Sequence, residues 1–186
     1  GEEHNFCIVD FSLTIEVIIT GEARYAFHSI KLKIESILLA TQADDYRICI
    51  GGVGNYRMEY ESKYVQYKGN RKDKPVFLQE CREYVKSKYK DKVLVADGQE
   101  ADDLLTIIGW WYFKQKGNNK NSWLKDKVIL AACDKDIMAN VVGYFFNYQY
   151  PEVGIEWNSG DSMVRKYCFQ LLIGDQSDNI IGIKYL

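Results

Sequence analysis

The sequence predicts an α/β fold: a three-layer sandwich with a mainly parallel central sheet and carboxylates at the carboxyl ends of its strands. Two observations carry this. Short, near-continuous apolar runs alternate with stretches of helical periodicity, as in a parallel sheet covered on both faces. Several of those runs end directly in acidic residues, where such sheets build their sites. With 186 residues, 47% of them apolar, the chain can bury one substantial core.

The elements follow in order. FCIVD (6–10) reads as a buried strand ending in Asp10. FHSIKLKIESILLATQ (27–42) has helical spacing, with Ile30, Ile34, Ile37 and Leu38 on one side. YRICI (46–50) is a short strand running into the breaker GGVGN. A helix is expected over roughly 76–88, then the strand VLVA (93–96) and a helix over about 100–116. GNNKNS is a loop, and KVILAAC (127–133) is a strongly apolar strand followed at once by DKD. GYFFNYQY and GIEWN suggest a hairpin. DSMVRKYCFQLLIG is helical, with Asp161 as its expected cap, and GDQSDNIIGIKYL ends the chain.

The helix QEADDLLTIIGWWYF begins with Glu100, Asp102 and Asp103. Acidic residues are favoured at a helix N-terminus by the macrodipole and the unpaired amides, so capping is one reading. The register offers another. Leu104, Ile107, Ile108 and Trp111 make the expected apolar stripe, and Glu100 and Asp103 fall nearly in line with it. Carboxylates continuing an inward face need hydrogen bonds, cations or metal.

Further candidates lie elsewhere. CDKD places Asp134 at a strand end and Asp136 two residues on; taken alone, an ordinary strand-to-loop turn is the better explanation of that pattern. In GDQSDNIIGI, Asp175 and Asp178 stand between glycines, either as loop caps or as ligands beside backbone amides that could approach phosphates. From Lys63 to Lys92 there are ten Lys/Arg against four Asp/Glu. Such a run is usually a solvated face, but Tyr60, Tyr64 and Tyr67 add rings that can stack on bases. Carboxylates converging on one sheet rim repel one another unless divalent cations sit among them. With a basic pair for a phosphate, that is the apparatus of two-metal phosphodiester hydrolysis.

The totals bound these readings. The net charge of −2 neither announces a nucleic-acid binder nor excludes one. Five scattered cysteines without a CxxC pair point to buried reduced thiols, and two histidines leave any metal to oxygen ligands, which suits magnesium or manganese. The apolar run from residue 6 to 20 is broken by Asp10 and Glu16 and is too polar to span a membrane, so an intracellular protein is expected. The chain starts without Met and stops just after a Gly-rich segment, as an excised piece would.

In order, IVD (8–10), NYR (55–57) with YKGNRK (67–72), EADD (100–103), CDKD (133–136) and GDQSDNIIGI (174–183) run over most of the chain. With these motifs the sequence resembles the structure-specific, PIN-like 5′-nucleases: flap endonucleases, the 5′→3′ exonuclease domain of bacterial DNA polymerase I and, closest in pattern, phage 5′-exonucleases. The resemblance implies a nuclease domain over 1–160 with an arch or gateway at about 27–75, and the start of a helix–three-turn–helix over 161–186. It implies two Mg²⁺ or Mn²⁺ ions. Asp10, Glu100, Asp102 and Asp103 would hold one, Asp134 would lie between them, and Asp136, Asp175 and Asp178 would serve the second, partly through water. Lys68 and Arg71 would contact the scissile phosphate, with Tyr67, Asn70 and Lys72 beside the strand end. Gly182 and Ile183 would meet duplex backbone, with K⁺ near 174–183. The implied partner is DNA with a 5′ single-stranded end or flap, RNA–DNA hybrids being a further one, and a monomer is expected.

Two departures stand out. The family carries another Asp where the second strand ends, and here that place reads Gly51–Gly52. Asp44 and Asp45 lie at the strand's other end and are no substitute. The chain also stops before the second helix of the duplex-binding motif would begin. A PIN-type endoribonuclease and a nucleic-acid-binding relative with weakened catalysis are the rival readings; the YKGNRK and GDQSDN stretches argue against the first, and Gly51–Gly52 supports the second.

Overall fold

The computed structural model describes residues 4–10, 23–57, 76–124, 126–134, 136–175 and 180–183. Their order is β1 (His4–Asp10), α1 (Ala23–Thr41), β2 (Asp45–Gly51), α2 (Leu78–Tyr89), β3 (Val93–Ala96), α3 (Ala101–Lys116), β4 (Asp126–Ala131), α4 (Asp136–Asn140), β5 (Gly143–Phe146), β6 (Ile155–Asn158), α5 (Gly160–Ile173), β7 (Gly174–Asp175) and β8 (Ile180–Ile181).

The main sheet has the order β3-β2-β1-β4-β5-β6. All its pairs are parallel except β5–β6, the expected hairpin. The chain lays down β1, β2 and β3 in one direction, then crosses back to place β4 on the other side of β1. Right-handed crossovers therefore put α1 and α2 on one face and α3 on the other. The reversal makes the carboxyl ends of β1 and β4 a topological switch point, where open α/β sheets form their clefts. Asp10 closes β1, and Asp134 lies just past the end of β4.

Burial explains the near-continuous apolar runs. Cys7–Val9 in β1, Ile48–Ile50 in β2, Val128–Ala131 in β4 and all of β5 are buried, so both faces of the central strands are covered. α1 contributes Ile30, Ile34 and Ile37, and its Phe27 stacks on Tyr84 of α2 at 4.6 Å. Buried Asn158 ties the far edge together. Its Nδ2 donates to the carbonyls of Met138 and Val141, each at 2.6 Å, and its Oδ1 accepts from Lys166 Nζ at 3.0 Å.

Four expectations are corrected. The core-facing line of α3 is Ala101, Leu105 and Gly109; Leu104 and Ile108 pack at its margin, while Ile107 and Trp111 are 54% and 56% exposed. Small residues on that line let the helix approach the sheet closely. The cap of α5 is Ser159, whose Oγ accepts from Ser162 N at 3.2 Å, and not Asp161. Cys7, Cys49 and Cys81 are buried free thiols, but Cys133 is half-buried and Cys168 exposed. The gateway expected over 27–75 does not hold at its start: Ala23–Thr41 and Asp45–Gly51 are a core helix and a central strand, and 58–75 lies outside the described residues.

α5 has no buried residue, and Val164, Tyr167, Phe169, Leu171 and Ile173 along it are exposed. It leads into the small antiparallel pair β7–β8. There Gly174 has φ +74°, and a Cβ on it would lie 2.2 Å from Gly182 N, so only glycine fits both the conformation and the approach. Among the described residues, no helix is long and apolar enough to cross a membrane.

The close approach of α3 gives a test. A Cβ at Gly109 would lie 2.6 Å from Val141 Cγ2 and 3.1 Å from Leu130 Cδ1. Gly109→Val is expected to destabilise the fold by about 1–3 kcal/mol through overpacking, read as a lower urea midpoint at unchanged slope.

Candidate functional site

α3 begins where β3 delivers the chain back toward the switch point. Glu100 is its N-cap, with Asp102 and Asp103 in the first turn. Asp103 Oδ2 accepts from Glu100 N at 3.0 Å, and Asp102 Oδ1 accepts from Asp103 N at 2.8 Å. The capping reading is thus correct as far as it goes. It does not account for the side-chain partners.

Those come from the loop after β2. Arg57 forks Asp103, with Nη1 donating to Oδ2 and Nη2 to Oδ1, each at 2.6 Å. The same Nη1 lies 3.8 Å from Glu100 Oε2. Asn55 Nδ2 donates to Glu100 Oε1 at 2.9 Å, and Asn55 Oδ1 accepts from Arg57 N at 3.0 Å. Backbone bonds lace the loop to the segment before α3: Gly52 N to Ala96 O at 3.0 Å, Gly98 N to Val53 O at 2.8 Å and Tyr56 N to Gly98 O at 2.9 Å. Asp102 faces a harder environment. Burial first, then the charges of Glu100 and Asp103, push its carboxyl up to about 6, while Arg57 pulls the other way.

The other predicted residues are placed as follows. Asp134 Oδ1 accepts from Asp136 N at 2.8 Å, starting α4. Asp136 is partly buried in that first turn. Asp175 is 6% exposed in β7, and Gly182 and Ile183 follow β8, with Ile183 N donating to Leu172 O at 2.8 Å. Asp10 is fixed in β1 by its pairing with Cys49, but its side chain is not described. Tyr67, Lys68, Asn70, Arg71, Lys72 and Asp178 lie outside the described residues.

Among the described residues, no three His, Cys, Asp or Glu side chains come together closely enough to hold a metal ion. Asp10 and Asp178, which the expected two-ion set also includes, have no described side chains, and within the described set a guanidinium takes both oxygens of Asp103. The donor set is all carboxylate, of the kind that suits hard divalent cations, and Arg57 supplies positive charge where such an ion would.

Residue-by-residue reading missed three participants. Asn55 and Arg57 belong to the NYR motif, whose sequence alone implies no role for them. Asp97 follows β3, and its Oδ1 accepts from Val53 N at 3.2 Å. A Cβ on Gly52 would lie 2.0 Å from that same oxygen. The space of a side chain at position 52 is thus filled by a carboxylate from the neighbouring strand. Asp44 and Asp45 do sit at the opposite end of β2, bound to Asn5 N and Lys92.

Comparisons with known proteins bear on the fold. Structures of the bacteriophage T5 enzyme superpose over nearly the whole chain. A flap endonuclease complex with DNA and metal ions has a TM-score of 0.64 at 20% identity, covering 98% of this chain and 71% of that one. The fold is that of the T5 5′-nuclease. T5 5′-exonuclease with zinc bound gives a TM-score of 0.63 at 20% identity and the same coverages. Among curated proteins, DNA polymerase I of Caldicellulosiruptor bescii is 29% identical over 182 residues, which is 92% of this chain. The chain spans 20% of that polymerase's length. No protein-family model matches.

Asp102 gives a pH prediction. Its carboxyl is raised from 3.8 to about 6, so the folded protein holds this proton to higher pH than the unfolded chain. Stability falls as pH rises from about 4 to 6, and above that a constant penalty of at most ~3 kcal/mol remains. Asp102→Asn should therefore stabilise the metal-free protein at neutral pH by up to that amount and leave it unchanged near pH 3.5, as measured by urea unfolding at both.

Proposed function

We propose that this chain is the catalytic unit of a divalent-metal-dependent 5′-nuclease that hydrolyses phosphodiesters of DNA near 5′ ends, flaps or nicks. The observation that carries it is the coincidence of the fold's switch point with the acidic motifs: β1 ends in Asp10, β4 delivers Asp134 beside it, and β3 leads into the Glu100–Asp103 turn. The shared T5 fold and the identity to a DNA polymerase I support the same reading.

In this reading Asp10, Glu100, Asp102 and Asp103 hold one Mg²⁺ or Mn²⁺. Asp134 is shared, and Asp136, Asp175 and Asp178 serve a second ion, partly through water. Bound ions would supply a water of lowered pKa and charge compensation at the leaving oxygen. The chain's residues do the rest. Lys68 and Arg71 hold the scissile phosphate and offset the charge that builds on it. Tyr67, Asn70 and Lys72 position the strand end. The amides of Gly182 and Ile183 approach duplex backbone, where K⁺ near 174–183 could add a contact. A water oxygen bonds to the phosphorus as the P–O bond to the upstream 3′ oxygen breaks, and that oxygen takes up a proton, leaving a 3′-hydroxyl and a 5′-phosphate. RNA–DNA hybrids, a monomeric state and an intracellular setting belong to the same proposal.

Gly51–Gly52 favours one rival, a relative that binds 5′ overhangs with weakened catalysis. A labelled 5′ flap incubated with magnesium separates the two. The proposal expects cleavage that EDTA abolishes and that Arg71→Ala lowers by ~100-fold or more. Retained flap binding without turnover at any manganese concentration would favour the rival.

A further inference from the structure

We infer that Asn55 and Arg57 are positioning residues that hold Glu100 and Asp103 in the orientation needed to bind the divalent ion. The inference rests on the proposed function, and it gives a role to the NYR motif, which the reaction as derived does not use.

Glu100, Asp102 and Asp103 crowd one helical turn, and like charges so close oppose one another. Left to themselves, exposed carboxylates in such a turn would rotate apart. Here two are fixed from outside the helix. Arg57 makes two parallel bonds of 2.6 Å to Asp103, a fork that only a guanidinium offers and that sets the plane of the carboxylate. Asn55 fixes one oxygen of Glu100 at 2.9 Å, and it also holds Arg57 through the latter's backbone amide. A carboxylate offers about four lone-pair sites over its two oxygens, so one held by hydrogen bonds can still ligate an ion.

The clamp is itself fixed. The loop carrying it is bonded to Ala96 and Gly98 through backbone groups and to the Asp97 side chain, all just ahead of α3 and none removed by truncation at 55 or 57. Arg57, Glu100 and Asp103 are each about one-fifth exposed, with side-chain exposures of 23%, 22% and 20%. The contacts therefore lie partly out of water, where orientation is worth more than at an open surface. Hydrogen-bond partners of metal ligands commonly tune metal affinity by about 10–100-fold.

The experiment measures Mn²⁺ binding by titration calorimetry and by Mn²⁺ electron paramagnetic resonance, without substrate. Arg57→Ala and Asn55→Ala are each expected to weaken one Mn²⁺ site by about 10–100-fold while metal-free thermal unfolding stays near wild type. Arg57→Lys, which keeps the charge without the fork, is expected to remain as weak as Arg57→Ala. If Arg57→Ala binds Mn²⁺ equally or more tightly, Arg57 only competes with the ion and the inference fails. Full rescue by Arg57→Lys would overturn it too, since charge alone would then suffice. Should Arg57→Ala unfold, Asn55→Ala decides alone by the same criterion. Absence of Mn²⁺ binding in the wild-type chain would instead sink the proposed function, so the two failures are told apart.

Discussion

Three carboxylates within one helical turn repel one another, and much of the local structure answers that repulsion. The helix N-terminus offsets part of it through its amides and dipole. Arg57 offsets another part by taking both oxygens of Asp103, and Asn55 satisfies Glu100. Asp102 is left to bear the remainder, with a proton affinity raised by its burial. A turn arranged in this way holds negative charge in reserve.

Topology decides where that turn sits. The sheet grows outward from β1 to β3, and α3, which starts just after β3, carries the chain back across the sheet to β4. Parallel pairing aligns the carboxyl ends of β1, β2, β3 and β4 along one rim. Strands covered on both faces offer little polar surface elsewhere, and acidic side chains therefore collect where the strands end. The loop after β2 lies between the rim and α3, close enough to bond to both.

Most of the sheet was legible because buried parallel strands need unbroken apolar runs and their breakers are strong; VLVA is read to the residue. α1 was legible through Ile30, Ile34 and Ile37. The face of α3 was not. Its bulky apolar residues at 107 and 111 point outward, and the contact line uses Ala101 and Gly109, which hydrophobic weighting undervalues. The five-residue α4 was missed because it is too short to show periodicity, although the Asp134 side chain accepts from the amide of its first residue. At the site, the carboxylates could be named from their places in the chain. Their partners Asn55 and Arg57 could not be assigned, because a fork between residues 46 apart leaves no spacing signal.

The filled space beside Gly52 separates two neighbouring glycines. Asp97 Oδ1 stands where a side chain at 52 would begin, so any larger residue there must turn that carboxylate aside and cost the bond it accepts from Val53 N. At Gly51, the last residue of β2, a Cβ meets the Arg82 guanidinium instead, at 3.1 Å. An acid at 51 would gain a cation where an acid at 52 would meet another acid, so the two glycines are not interchangeable places for a carboxylate.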